Sequence, residues 1–208
     1  MQDWYTWVFS GIGVVFLSTM IQFLFVHLKK RSKLLLLTLN EIDKYLGTVQ
    51  QRLSKVESSL FISGNDGKYV IEAMSPCIEN LLQRGRHINI ILSDPESNVP
   101  EMLSMIDPRF PSPEKFRLSM IPILDRLKEW EKKYHNNFDY RLISFLPAMA
   151  FFLTDVNNQH GIVKIELYTA GPHQPINSRP HIIINSKDRK WREYFINQWD
   201  NYWKRGKK

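Results

Sequence analysis

Five side chains have the type and position to meet a ligand. Asp94 and Asp155 each close a predicted strand, where open sheets often present ligand sites. Arg141 and Arg179 can each grip a phosphate or carboxylate through paired N–H groups. His181 follows Arg179 by two residues and adds a ring nitrogen to the same segment. Recognition by such a set would favour an anionic or phosphate-bearing ligand. The plainer reading of each is structural: aspartate is a common turn residue at a strand end, and arginine is a common surface residue.

Other chemistries lack their residues. The histidines are His27, His87, His135, His160, His173 and His181, and no two have the His-x-x-x-His spacing of a zinc helix. Cys77 is the one cysteine, which excludes an intramolecular disulfide framework and fits a reducing compartment. No Gly-x-x-x-x-Gly-Lys loop is present to cradle nucleotide phosphates. Neither metal nor cofactor is therefore expected. The net charge of +7 over 208 residues suits anionic neighbours, or solubility alone. Without a recognition motif, no specific nucleic-acid partner is expected.

The elements that would position these side chains follow from the apolar periods. Residues 59–64 form a short buried strand that ends in the turn Gly64-Asn65-Asp66-Gly67. Ser75 and Pro76 suit the N-cap and first position of a helix that stops at Gly85. His87 to Leu92 is a second buried strand, so strand, helix and strand make a parallel crossover unit. A loop rich in proline follows, from Pro95 to Pro113. Ser112-Pro113 then opens a long helix with Phe116, Met120, Ile123, Leu127, Trp130 and Tyr134 on one side and a kink at Pro122. Four strands are expected near 138–145, 148–154, 162–168 and 181–185. In the third, Val163, Ile165 and Leu167 point inward, and Lys164 and Glu166 outward. A helix over about 188–204 closes the chain. Its stripe of Trp191, Phe195, Trp199 and Trp203 suits core packing or a helix lying on a membrane surface.

The N-terminus reads differently. Residues 4–28 contain no Asp, Glu, Lys or Arg. As a helix they would extend about 37 Å, more than a bilayer core of roughly 30 Å requires. Lys29, Lys30, Arg31 and Lys33 follow at once, whereas Asp3 is the only charged side chain before the run. The positive-inside rule puts the N-terminus outside and residues 29–208 in the cytoplasm, at the plasma (inner) membrane. A signal peptide would carry its positive charge before the apolar run. Residues 34–60 then read as a helix with Leu35, Leu39, Ile42, Leu46, Val49, Leu53 and Val56 at alternating steps of four and three. Either a dimeric coiled-coil stalk or a helix docked on its own domain fits that seam.

The order of the later elements resembles the phospholipase D-like domains that lack catalytic motifs, a bacterial family of unknown function. The similar pieces are Leu60-Phe61-Ile62-Ser63-Gly64, Ile90-Ile91-Leu92-Ser93-Asp94-Pro95, Phe151-Phe152-Leu153-Thr154-Asp155, Ile165-Glu166-Leu167-Tyr168, Arg179-Pro180-His181 and the closing aromatic helix. The resemblance implies the covalent chemistry of a His-x-Lys-x4-Asp motif in active members, with His as nucleophile and Lys on a phosphate oxygen. With Asp155 at the Asp position, Ala148 and Ala150 stand where His and Lys would be. A frame shifted by one residue gives Pro147, Met149 and Thr154. Neither retains the nucleophile, so the resemblance implies a kept fold and lost phosphodiesterase activity, with no catalytic residue.

The expected architecture is therefore α/β: an external stub at 1–3, a transmembrane helix at 4–28, a cytosolic helical stalk at 29–56, and a phospholipase D-like mixed sheet flanked by helices at 57–208. The expected function is a membrane-anchored, non-catalytic domain for ligand sensing or interaction. Its partners would be the bilayer, an anionic ligand and, through the stalk, further copies of itself. Two alternatives stand beside it: a membrane effector of a bacterial defence or signalling system, and a phosphodiesterase with a rearranged active site.

Overall fold

The computed structural model describes residues 18–22, 35–158, 160–168 and 179–208. Residues 1–33 and 34–208 form two separate compact units. In the first, residues 18–22 are helical. The rest of the expected span at 4–28, with the external stub, lies outside the described residues. Among the described residues no helix is long and apolar enough to cross a membrane.

The second unit is built on one seven-stranded sheet. Its strands are β1 (Leu35–Leu37), β2 (Ser59–Ser63), β3 (His87–Ser93), β4 (Phe138–Ile143), β5 (Met149–Thr154), β6 (Val163–Leu167) and β7 (His181–Ile184). They lie in the order β1-β7-β6-β5-β2-β3-β4. The β2, β3 and β4 pairings are parallel and the rest antiparallel. The expected strand–helix–strand crossover is thus present, and so are the four later strands. The helices are α1 (Leu39–Leu46), α2 (Val49–Ser54), α3 (Ser75–Gln83), α4 (Val99–Ile106), α5 (Pro113–Lys133) and α6 (Arg189–Arg205).

Two apolar layers sandwich the sheet. One gathers α2, α3 and α5 over Leu60, Ile62, Ile88, Ile90, Leu92 and Phe152. The other sets Phe195 and Trp199 of α6 against Ile91, Ile143, Phe151, Leu153, Val163 and Ile165. Alternate residues of a strand face opposite sides, so adjacent apolar residues such as Phe151 and Phe152 each find a core. Trp199 stacks on Phe61 with ring centroids 4.6 Å apart. Most of the aromatic stripe is therefore core, while Trp191 remains 42% exposed. A backbone pair between Leu142 and Lys207 covers part of the free edge of β4.

Three expectations change. The helix over 34–60 is instead a strand and two short helices. Leu35–Leu37 pairs with β7, and Gly47 at φ +82 breaks the helical path. Thr38 and Thr48 then start α1 and α2 with capping boxes to Glu41 and Gln51. Ile42, Val49, Leu53 and Val56 are buried against the chain's own domain, so the seam is no free coiled-coil surface, and the domain reaches back to about residue 34. The proline-rich stretch contains α4, because Pro100 falls in its first turn, where a proline ring is tolerated. Ser75 does not cap α3; a π-helical turn over Val70–Met74 runs directly into that helix. Helix α5 continues through Pro122 as one element to Lys133.

Candidate functional site

The site follows from the register. Across the sheet, Phe152 of β5 lies beside Lys164 of β6, which lies beside Ile183 of β7. One step along, Ala150 lies beside Glu166, which lies beside His181. All six share the face that α1 and α2 cover. Lys164 and Glu166, expected to point into solvent, therefore point into a space under these helices. The alternation correctly separated their face from that of Val163 and Ile165, but the second face is also covered.

That space is a cavity of about 350 Å³. Leu39, Val49, Ile62, Val70, Met74 and Phe152 supply apolar wall. Polar groups enter from the strand face and from the loop after β2. Gly67 holds that loop in a left-handed turn at φ +63, and a Cβ there would come within 2.7 Å of Leu92 Cδ1.

A chain of alternating charges rims the cavity. Arg109 donates to Asp66 at 2.9 Å and to Asp107 at 2.6 Å. Arg179 lies 3.9 Å from Asp107 and donates to Glu166 at 2.9 Å. His181, 1% exposed, places Nε2 3.6 Å from Glu166 Oε2, while its Nδ1 lies 2.8 Å from the Arg179 carbonyl oxygen. Burial opposes ionisation of Glu166, but hydrogen bonds from His181 and Arg179 and the nearby Lys164 charge prevail and hold its pKa at about 2. Burial raises the Tyr168 hydroxyl well above its ordinary range, and the Arg179 guanidinium lies over its ring.

Lys164 stands apart from this network. Among the described residues it makes no hydrogen bond and no ion pair, and its ammonium lies 5.5 Å from the centroid of the Phe152 ring. Burial, partly offset by Glu166, brings its pKa down to about 8. Arg52 lies near the same ring, 6.0 Å from its centroid, and is paired with Asp43 at 2.9 Å. Its Nε is buried without an acceptor.

Of the five residues named from the sequence, Arg179 and His181 line this cavity and the other three do not. Asp155 caps the start of β2. Its carboxylate accepts from the amides of Glu57, Ser58 and Ser59 and from the Ser58 hydroxyl at 2.6–3.2 Å. Burial works against ionisation there too, and those hydrogen bonds outweigh it and lower the pKa. Arg141 donates to the Trp203 carbonyl at 2.8 Å and packs on that indole, tying α6 to β4. Asp94 accepts from the Glu96 amide at 2.9 Å in a turn. Lys164, Glu166, Arg52 and Arg109 were not singled out. The visible signal was a Lys-x-Glu pair on a strand whose neighbours supply no solvent face.

No protein-family model matches the chain, and no curated protein matches it. Solved structures do. Phosphatidylserine synthase from Haemophilus influenzae Rd KW20, a phospholipase D family member, superposes with a TM-score of 0.54 at 13% identity, over 79% of this chain and 36% of that one. The fold is phospholipase D-like. TrmBL2, an archaeal chromatin protein with its own mode of DNA binding, superposes with a TM-score of 0.50 at 14% identity, over 100% of this chain and 67% of that one. Nuc from Salmonella typhimurium, a phospholipase D family member, overlays more loosely, with a TM-score of 0.44 at 13% identity over 85% of this chain and 97% of that one. This chain spans about a third of the synthase.

Of the two positions that the resemblance offers for a lysine, Ala150 is part of the cavity wall and Met149 is not. Of the six histidines, His27 and His173 lie outside the described residues. His87, His135 and His160 are exposed and do not line the cavity. His181 lines it, but both its ring nitrogens face oxygens.

Proposed function

We propose that the domain is a non-hydrolytic ligand-binding module, a sensor or interaction domain that keeps a phospholipase D-like fold without its covalent chemistry. The observation that supports this reading is Ala150, which lies buried at the wall of a well-formed cavity. In the frame that sets Asp155 at the motif Asp, its methyl group stands where the resemblance would put the phosphate-gripping lysine, and in the shifted frame Met149 stands there. Binding needs walls, convergent polar groups and access, and those are present. Turnover by the family's route needs a nucleophile as well.

The sequence supports a place at the membrane for this module. Residues 4–28 carry no formal charge, and four basic residues follow within five positions. In this reading the N-terminal segment holds the chain in the plasma membrane and the domain faces the cytoplasm, where ligand occupancy could be signalled to membrane-bound neighbours.

Two assays on the full chain test the reading. Bis(4-nitrophenyl) phosphate should not be turned over above the buffer rate. Turnover that disappears in His181→Ala would establish a relocated nucleophile and overturn the proposal. For topology, a reporter active only outside the cytoplasm, fused after Lys208, should stay silent; strong activity would reverse the orientation.

A further inference from the structure

We propose that the cavity takes an amphiphilic ligand with a singly charged anionic head, seated between Lys164 and Arg52 above Phe152, and a short apolar body along the wall beyond. The inference rests on the reading of this cavity as a ligand site and names the chemistry the site selects.

The argument begins with what is already satisfied. Of the cationic side chains lining the cavity, Arg109 is paired with Asp66 and Asp107, Arg179 with Glu166, Arg52 with Asp43, and Lys68 with Glu72. The carboxylates Asp66, Glu72 and Glu166 are occupied by the same pairs. The fifth, Lys164, makes no hydrogen bond and no direct ion pair among the described residues, and Glu166 acts on it only from a distance. Holding an ammonium half-buried without a direct ion pair is costly, and burial has already lowered its affinity for the proton.

A second donor lacks an acceptor. Arg52 is 4% exposed, and its Nε–H has no partner. Its guanidinium and the Lys164 ammonium lie near the same aromatic ring, at 6.0 and 5.5 Å from the centroid. Two like charges beside one ring are stabilised when an anion bridges them. Because Asp43 already balances Arg52, the pair presents one net positive charge, which matches a monoanion better than a dianion. Around them, Val49, Ile62, Val70 and Met74 offer surface that rewards an apolar body. A cavity of about 350 Å³ sits at the small end of ligand sites, which limits that body to a short chain or single ring.

Hexanoate, 1-hexanol and hexylamine carry the same apolar body with three different heads, and their binding to the purified full chain can be measured by calorimetry. The proposal expects hexanoate to bind at least tenfold tighter than hexanol, and hexylamine to bind most weakly. In Lys164→Met, a change of similar volume, hexanoate affinity should fall to the level of hexanol, while hexanol affinity is kept. A measurement on the unaltered chain is independent of that variant. Near pH 8.5, hexanoate binding in buffers of different ionisation enthalpy should show uptake of a fraction of a proton, because the anion restores the charged lysine. The charged groups acting on Lys164 are Glu166 on the sheet, Arg52 on α2 and Asp43 on α1; His181, Arg179, Tyr168, Asp66, Lys68, Glu72 and Arg109 line the same cavity. Equal affinity for hexanoate and hexanol would overturn the anion assignment yet leave a ligand cavity. So would hexanoate binding that survives Lys164→Met, or binding without proton uptake. If none of the three probes binds, the ligand-site reading falls with it.

Discussion

Strand β5 has two ends that treat polar groups in opposite ways. At its C-terminal end, Asp155 accepts three backbone amides and a hydroxyl, and its own backbone adopts φ 45 to do so. Arg192, 7% exposed, donates to the carbonyls of Gly161, Asn158 and Val156 and fastens the following loop to α6. Gly161 is required there, since a Cβ would lie 2.2 Å from the Thr154 carbonyl oxygen. At the N-terminal end, beside Ala150 and Phe152, among the described residues a lysine makes no hydrogen bond or ion pair and an arginine nitrogen has no acceptor. The first end is a closed structural joint. The second carries unsatisfied polar groups around open space, the pattern expected of a site awaiting a ligand.

Removing the joint's centre should have the largest effect. Asp155→Ala strands several amides, at a cost of about 3 kcal/mol. For a chain of this size that lowers Tm by roughly 6–12 °C. Thermal melting followed by circular dichroism reads this, and a shift under about 2 °C would show that the joint is not a joint. Gly161→Ala should cost about 2 kcal/mol by forcing the Thr154–Asp155 backbone aside, while leaving hexanoate affinity unchanged.

Changes at the open end should be smaller and differ in sign. Glu166 has its folded-state pKa lowered to about 2 from an ordinary 4.5. It therefore contributes stability above about pH 4.5 that is lost as pH falls towards 2. Glu166→Gln should cost between about 1 and 2 kcal/mol at pH 7, and the gap to the unaltered chain should close in acid, as denaturant titrations at pH 7, 4 and 2.5 would read. A gap that stays constant with pH would assign the loss to packing. Lys164→Met should change stability by less than about 1 kcal/mol and in the favourable direction, because it removes an unpartnered charge. Destabilisation comparable to Asp155→Ala would make the two ends alike and erase the contrast.

The sequence made the joint's residues visible but not their role. Asp155 at a strand end reads equally as a ligand or a turn residue, and its partners at 57–59 lie almost a hundred positions away. Strand β6 was legible because apolar alternation marks it directly, and β5 and β7 because they are short apolar runs buried on both faces. Residues 34–56 misled because a 3.5-residue period suits either a coiled coil or successive pieces docked on one core. Only Gly47 and the two threonine caps hinted at the break. For the site, Arg179 and His181 stood out by type, while Lys164 and Glu166 were read as solvent-facing. Alternation assigns residues to a face and says nothing of what covers it, and α1 and α2 do so here.

The titration of Lys164 itself tests the contrast most directly. Amine labelling of the full chain across pH 6–11, with mass spectrometry resolving each lysine, gives its pKa beside those of the surface lysines. The account predicts a value of about 8 for Lys164, well below the others, rising when hexanoate is present. A Lys164 that titrates with the surface lysines, and does not respond to hexanoate, would show that its charge is already satisfied and that the open end of β5 is not a ligand site.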